Sequence, residues 1–457
     1  MQILLINPWI YDFAAFDMWA RPLGLLEMAA YLRNRGFKVH FLDCLSTSSS
    51  MPLKRRRGPV PKSYGTSKYY KEEVAKPPQY QHIQRRFSRY GIPLDLLKEQ
   101  LLSMQRPKVV LVGSMMTYWY LGVQEVIRIL KEIWPDVFVI LGGIYARLCY
   151  EHAKRSSGAD MVLTTKDPKD VEDKLNLLGI FPEDPKEMYH PYPAYDMFFQ
   201  ALGHDDNTKH TYSKAIAIRT TEGCPLSCSY CASKFLNPNM GSRAIQDVIE
   251  EILFWNSRYG IQDYAFYDDA LLMRPDIISL LEALCSLKKD LRFHTPNGLH
   301  GRIIDKNMAE LLKQAGFKTI RIGLETSRTD QTWDYDEKLK AKELERAVDA
   351  LYLAGLFPKD LGAYVLVGLP GQTPKGVKQA LYYAKALGLP PYLAEYSPIP
   401  HTRLWERARL ESKYPLEEPL FHNNTILPCW PEPYREEFKV LKETALEIRR
   451  ELTKACL

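Results

Sequence analysis

The sequence predicts an α/β protein made of two successive βα series: an N-terminal doubly wound parallel sheet, then a partial (β/α)6 barrel and a helical C-terminal segment. Three observations predict this. Short apolar runs of strand length recur along the chain, each closed by a turn signal such as Asn7-Pro8, Gly113 or Gly142. Between them, apolar residues repeat at i, i+3, i+4 and i+7, the spacing of one helix face. A stretch with neither period, residues 180–213, is rich in Pro, Tyr, Asp and His and reads as a linker between the two series.

In chain order, residues 2–7 form the first strand, and Leu25, Met28, Ala29 and Leu32 mark one face of the helix behind it. Residues 39–43 form the second strand, entered through Arg35-Gly36. Residues 44–107 break the rhythm with a serine-rich run, the basic run at 54–57 and repeated Pro and Tyr. They read as a long surface excursion with a helix near 94–104. Strands at 109–113 and 137–142 flank a helix near 123–133, and a last strand at 161–164 precedes a helix from Pro168. This places the first domain at 1–179. After the linker, strands are expected at 215–220, 264–267, 291–294, 319–323, 363–367 and 393–396. Helix faces such as Ile277, Leu280, Leu281 and Leu284 fill the gaps. Six repeats in roughly 190 residues are too few to close an eight-stranded barrel and suit an open one, placed at 214–410. Residues 411–457 form a C-terminal extension whose charged helix carries Phe438, Leu441 and Ala445 as its apolar stripe.

Composition excludes several classes. With 457 residues, 46% hydrophobic and 25% charged, the chain is neither disordered nor fibrous and is long enough for two to four domains. A net charge of +6, from 61 Lys+Arg against 55 Asp+Glu, is too weak to imply a polyanion partner. No run of about 18 apolar residues occurs, so no membrane partner is expected. The start lacks a basic region and a small-residue cleavage site, so a cytoplasmic location is expected.

Cysteine placement points to chemistry. Of eight cysteines, Cys224, Cys228 and Cys231 fall within eight residues, directly after the first strand of the second series. Scattered pairs would suggest disulfides; this cluster suggests a metal site in a reducing compartment. The C-x3-C-x2-C spacing puts three thiolates on one loop, enough for three corners of a cubane, whereas electron-transfer clusters take four cysteines. Structural zinc would need a fourth Cys or His nearby, and the next thirty residues contain none. A three-thiolate catalytic zinc stays open as an alternative.

At these residues the chain resembles the radical S-adenosylmethionine (SAM) superfamily: the cysteine spacing, Gly223 and Pro225 around Cys224, and the aromatic Tyr230 before the last cysteine. The resemblance implies a 4Fe–4S cluster on Cys224, Cys228 and Cys231. SAM would chelate the open iron, and one electron from a flavodoxin- or ferredoxin-type reductant would cleave it to methionine and a 5′-deoxyadenosyl radical. Such chemistry belongs to anaerobic conditions. The radical chemistry is the cofactors' own, and the protein positions them and excludes water. The remaining motifs fall at strand ends, the active face of a βα barrel. Tyr267-Asp268-Asp269 resembles the acidic turn near the SAM amino group, and Gly323-Leu324-Glu325-Thr326 resembles the family's Gly-x-Glu-Ser segment. Asn297 ends the third strand. Arg321, Gly323 and Glu325 would share one strand face. SAM contacts are therefore expected from Tyr230, Asp268, Asp269, Asn297, Arg321 and Glu325. Where the family often has Gly in the sixth loop, this chain has His401.

A parallel α/β domain ahead of such a barrel resembles the cobalamin-dependent subclass, whose corrin lies over the strand ends at a topological switch point. Matching positions are Asn7 and Pro8, then Ser114, Met115, Met116 and Thr117, then Gly142, Gly143 and Tyr145. Residues 8–21 hold no His to ligate cobalt, and Thr165-Lys166-Asp167-Pro168 stands where the family has an acidic Gly-Glu-Gly-Glu segment. The resemblance implies a cobalamin-dependent radical SAM methyltransferase acting on an unactivated carbon of a small-molecule or peptide substrate. The alternative enzyme is a radical SAM cyclase or rearrangement catalyst without working cobalamin. A methylthiotransferase is disfavoured because only Cys44 and Cys149 precede the motif, and an auxiliary-cluster maturase because Cys285, Cys429 and Cys456 show no paired spacing. A non-catalytic or RNA-binding module would use the basic residues at 54–57 with Arg85, Arg86 and Arg89; the near-neutral total disfavours nucleic acid.

Overall fold

The computed structural model describes residues 2–46, 63–183, 189–201, 215–325 and 341–454. The chain forms two compact units, Met1–Tyr212 with Glu417–His422, and Ser213–Leu416 with Asn423–Leu457. Among the described residues, no helix is long and apolar enough to cross a membrane.

In the first unit, β1 (Ile3–Asn7), β2 (Val39–Asp43), β3 (Val109–Val112), β4 (Phe138–Leu141) and β5 (Met161–Val162) form one parallel sheet in the order β5-β4-β3-β1-β2. The unbroken apolar runs of β1 and β3 follow from their central places, where every residue is buried. From β1 the chain goes to β2 on one side and later to β3 on the other. The strand order therefore reverses between β1 and β3, and their carboxyl ends open a crevice at Asn7 and Gly113.

Residues 44–107 were expected as a surface excursion, yet part of them is core. Strand Ser88–Tyr90 pairs with both Ile10–Asp12 and Lys71–Glu73. The cause is aromatic: Phe13, Tyr80 and Phe87 pack ring on ring at 4.9–5.5 Å, and Tyr80 and Phe87 are sealed from solvent. The same packing uses up the basic signal. Arg89 is buried, paired with Glu72 and stacked over Trp9; Arg86 pairs with Glu73; Arg85 lies over Phe13. The basic run at 54–57 lies outside the described residues. Helix Tyr195–Ala201, inside the stretch read as a linker, is docked through Arg33–Asp196 and a buried Tyr195.

Glu417–His422, read as part of the C-terminal extension, also belongs to this unit. Tyr120 donates its hydroxyl to Glu418 at 2.9 Å, Tyr80 donates to the Leu420 carbonyl, and His422 Nδ1 lies 2.9 Å from Thr117 Oγ1.

The second unit holds β6 (Ala215–Ile218), β7 (Asp263–Phe266), β8 (Arg292–His294), β9 (Phe317–Glu325), β10 (Leu361–Val367) and β11 (Pro391–Glu395). They pair in parallel in chain order, the arrangement of a partial barrel. The C-terminal helix Glu432–Lys454 buries Phe438, Leu441, Ala445 and Ile448, the expected stripe extended by one turn.

Candidate active site

The three cysteines sit on one loop after β6. Its neck is closed by an antiparallel pair, Thr221–Glu222 against Gly241–Ser242. Gly223 has φ 77°, and a Cβ there would stand 2.6 Å from the Asn239 carbonyl oxygen, so only glycine lets the loop fold back on itself. The Cys231 amide donates to the Cys228 carbonyl, and the Ser233 amide reaches Cys231 Sγ at 3.4 Å. Protein packed around Cys231 pushes its thiol up to about 11; the Ser233 amide opposes this, and Cys228, Asp269 and Cys224 add to it. Among the described residues, no three His, Cys, Asp or Glu side chains close on a single-ion site. Cys224 and Cys228 stand near enough to Cys231 for their charge to act on its thiol, so the three sulfurs are neighbours. Two buried hydroxyls of this loop, Ser229 and Ser233, have no hydrogen-bond partner in the protein, a deficit that a bound group can meet.

The strand-end residues divide. Tyr230 faces Glu325 and Cys228; burial first, then those two groups, push its phenol far above the ordinary range. Glu325 has φ 65° and sits where the β9–β10 register shifts, between Gly323 and Glu325. A non-glycine residue held in the left-handed region is strain of the kind found at ligand sites. This bulge breaks the simple alternation that would align Arg321 with Glu325. Arg321 instead lies 4.4 Å over the Tyr392 ring, which Arg449 covers at 4.8 Å. Gly362 makes room for the stack, since a Cβ there would be 2.6 Å from the Tyr392 ring. Asp268 is turned beneath the cysteine loop, where its carboxylate accepts from Thr220 and Thr221. Asp269 accepts from Asn237, and Asn297 donates to the Asp268 carbonyl at 3.0 Å. His401 has φ 66°, which explains why glycine suits the position; its ring stacks on Phe235 at 3.9 Å. The Leu404 amide donates to the Ser229 carbonyl, so the sixth loop is tied to the cysteine loop.

In the first unit, a small cleft opens at the β1/β3 switch point. Asn7, Pro8, Trp9, Ser114, Met115, Met116 and Trp119 line it. Met116 and the nearby Ile144 are exposed apolar side chains. Not every expected position offers it a free side chain. Ser114 donates its hydroxyl to the Gly142 carbonyl at 2.6 Å. Tyr145 is sealed from solvent, hydrogen-bonded to His152 Nδ1 at 2.7 Å and stacked on Tyr120. Thr117 is buried against His422. The two glycines also differ: a Cβ on Gly143 would meet the Ser114 carbonyl oxygen at 2.3 Å, whereas one on Gly142 would meet nothing within 4 Å. Gly143 is therefore required by the chain's own packing, and Gly142 leaves space for something else. The cleft is small for a whole corrin.

Residues 218–384 match the radical SAM superfamily. Among curated relatives, an uncharacterised methyltransferase of Pyrococcus horikoshii is 24% identical over 62% of this chain and 65% of its own length, just under two thirds. The cytidylyl-2-hydroxyethylphosphonate methyltransferase of Streptomyces wedmorensis is 21% identical over 85% of this chain and 77% of its own. In fold, the chain is similar to the radical SAM methyltransferase TsrM of Kitasatospora setae, solved with cobalamin and a 4Fe–4S cluster. The TM-score is 0.62 at 17% identity, covering 91% of this chain and 80% of that one. It is also similar to OxsB, a cobalamin-dependent SAM radical enzyme, with TM-score 0.55 at 12% identity, covering 90% and 55%.

Several residues framing the radical SAM domain's loop had no motif to announce them. Thr220, Thr221, Arg243 and Arg274 tie its neck, and the only local hint is a Thr pair ahead of Gly223-Cys224. The remaining described cysteines are isolated thiols. Burial pushes Cys149 and Cys429 up to about 12 and Cys44 well above its ordinary value, so they are inert.

Proposed function

We propose that this chain is a cobalamin-dependent radical SAM methyltransferase that alkylates an unactivated carbon. One observation carries the reading: a three-cysteine loop at the strand-end face of a partial barrel shares a chain with a switch-point cleft walled by Met and Trp. Cys224, Cys228 and Cys231 hold a 4Fe–4S cluster and leave one iron open. Tyr230 and Glu325 supply a phenol and a carboxylate to SAM, with Asn297 and Asp269 at the neighbouring strand ends. Asn7, Pro8, Ser114, Met115, Met116 and the open face of Gly142 receive a corrinoid. When bound, these groups supply radical generation from SAM and carriage of a methyl group. The chain's part is to position them and keep water out. Residues 8–21 offer cobalt no imidazole, and His152 and His422 are committed to Tyr145 and Thr117. The electron donor in this reading is a cytoplasmic flavodoxin- or ferredoxin-type protein.

The test is anaerobic reconstitution of the full chain with iron, sulfide and hydroxocobalamin. About four irons and one corrinoid per chain are expected, the corrinoid with a base-off spectrum. The commitment of Ser114 and Tyr145 to internal hydrogen bonds favours a second reading, a radical SAM cyclase or rearrangement catalyst without cobalamin. SAM cleavage with no corrinoid uptake would select it.

A further inference from the structure

Two buried side chains hold the neck of the cysteine loop. Asp268, 2% exposed, accepts at Oδ1 from the Thr220 amide (3.1 Å) and hydroxyl (2.6 Å) and from the Thr221 amide (2.6 Å) and hydroxyl (2.7 Å). Arg274, also 2% exposed, donates Nη1 to the Thr220 carbonyl at 3.0 Å and Nη2 to the Arg243 carbonyl at 2.7 Å. Residue 220 enters the loop and residue 243 leaves it, so one guanidinium spans both ends. Its counter-charge is Asp276, whose side chain is 44% exposed. Burying a guanidinium is costly unless its hydrogen bonds are fixed in place, and a planar fork with five donors spans two separate carbonyls in a fixed geometry that a lysine's compact ammonium does not reproduce. Inside the neck, the loop has little regular structure of its own beyond the four-residue helix Ser233–Leu236. Its shape depends on where the two ends are held.

We propose that Arg274 and Asp268 are positioning residues: together they staple the cysteine loop shut and set the spacing at which Cys224, Cys228 and Cys231 grip the cluster. Asp268 acts on the loop and not on the SAM amino group. This rests on the cluster reading above.

The experiment compares full-length wild type, R274K, R274M, D268N and D268A. In the apo proteins, hydrogen exchange over 220–243 should be about tenfold faster in R274M and D268A than in wild type, as expected for the loss of charged hydrogen bonds. After anaerobic reconstitution, a ferrous chelator should strip iron from these two variants about tenfold faster, and the reduced cluster's EPR signature should shift. R274K should recover part of the difference. D268N, which keeps an acceptor oxygen for Thr220 and Thr221, should lose iron more slowly than D268A. Unchanged exchange and chelation in R274M and D268A overturns the staple. So does D268N keeping its iron while losing SAM affinity, which would return Asp268 to the cofactor. If R274M and D268A do not fold, R274K and D268N carry the same comparison with wild type: both must exchange and lose iron faster than wild type, and unchanged rates in both overturn the staple. Wild type that takes up no iron overturns the cluster reading instead, and the exchange data on apo protein still decide the staple.

Discussion

The cysteine loop is tied at its neck by charged side chains buried with their hydrogen bonds made, whereas the N-terminal cleft is walled by Trp and Met with few polar groups turned inward. Two buried aspartates, one in each unit and neither on the cysteine loop, are balanced to different extents. Burial would raise Asp263, at the start of β7, but Arg292 and His294 hold it down at about 2. Asp43, at the end of β2, is pushed up to about 6 by burial, with Asn7 and the Leu45 amide compensating only in part. A loop of three thiols needs rigid, charge-balanced surroundings to keep its ligands spaced. A cleft for a large, mostly apolar ligand needs surface and open space, and fixed charge there would cost desolvation without return.

The largest effect that could break this comparison is at the cysteines. The triple replacement of Cys224, Cys228 and Cys231 by Ala should abolish iron uptake and SAM cleavage while corrinoid uptake persists, read by iron assay and visible spectroscopy. Corrinoid lost together with iron would show that the two regions are not independent. Next come the two glycines. G143V should destabilise the first unit by about 2–4 kcal/mol, because its Cβ would collide with the Ser114 backbone; G142V should leave the melting temperature near wild type and yet reduce corrinoid uptake. Equal behaviour of the two would remove the cleft from ligand binding.

A smaller effect concerns Glu325. E325A should weaken SAM affinity about tenfold with the cluster intact, measured by calorimetry under anaerobic conditions. Unchanged affinity would leave the strained backbone at that position without a ligand to explain it. The smallest effects are in pH. Asp263, held below the ordinary carboxylate value of about 3.9, adds stability above that value that is lost as pH falls toward 2. Burial lowers His294, so the unfolded imidazole takes its proton first and stability falls as pH drops below about 6.5. Asp43 runs the other way: its raised folded value means stability is lost as pH rises from about 4 to 6. D43N should therefore raise the melting temperature at pH 7, by on the order of 1 kcal/mol in stability, and not at pH 4. A D43N variant equally shifted at both values would mean that hydrogen bonding and not charge governs that site.

What could be read from the chain alone was whatever is local in it. Strand and helix order followed from short strand-length runs and the 3.6 period, and β2 spans the same residues, 39–43, that the sequence pattern marks. The three cysteines stand out as a candidate metal loop because their spacing is a property of eight consecutive residues. Tertiary packing decided which way each strand-end side chain turns. Asp268 lies beneath the loop because two threonines 47 and 48 positions earlier present four donors to it. Arg321 stacks on Tyr392 because a bulge ends the alternation and Gly362 vacates the space. Tyr145 is withdrawn from the cleft by His152 and Tyr120, and Tyr120 is in turn bonded to Glu418, 298 positions away. Gly142 and Gly143 are alike in the sequence, and only the backbone of Ser114 behind one of them tells them apart. Local spacing determines which groups are available for chemistry; what packs against them in three dimensions determines which face a ligand and which hold up the fold.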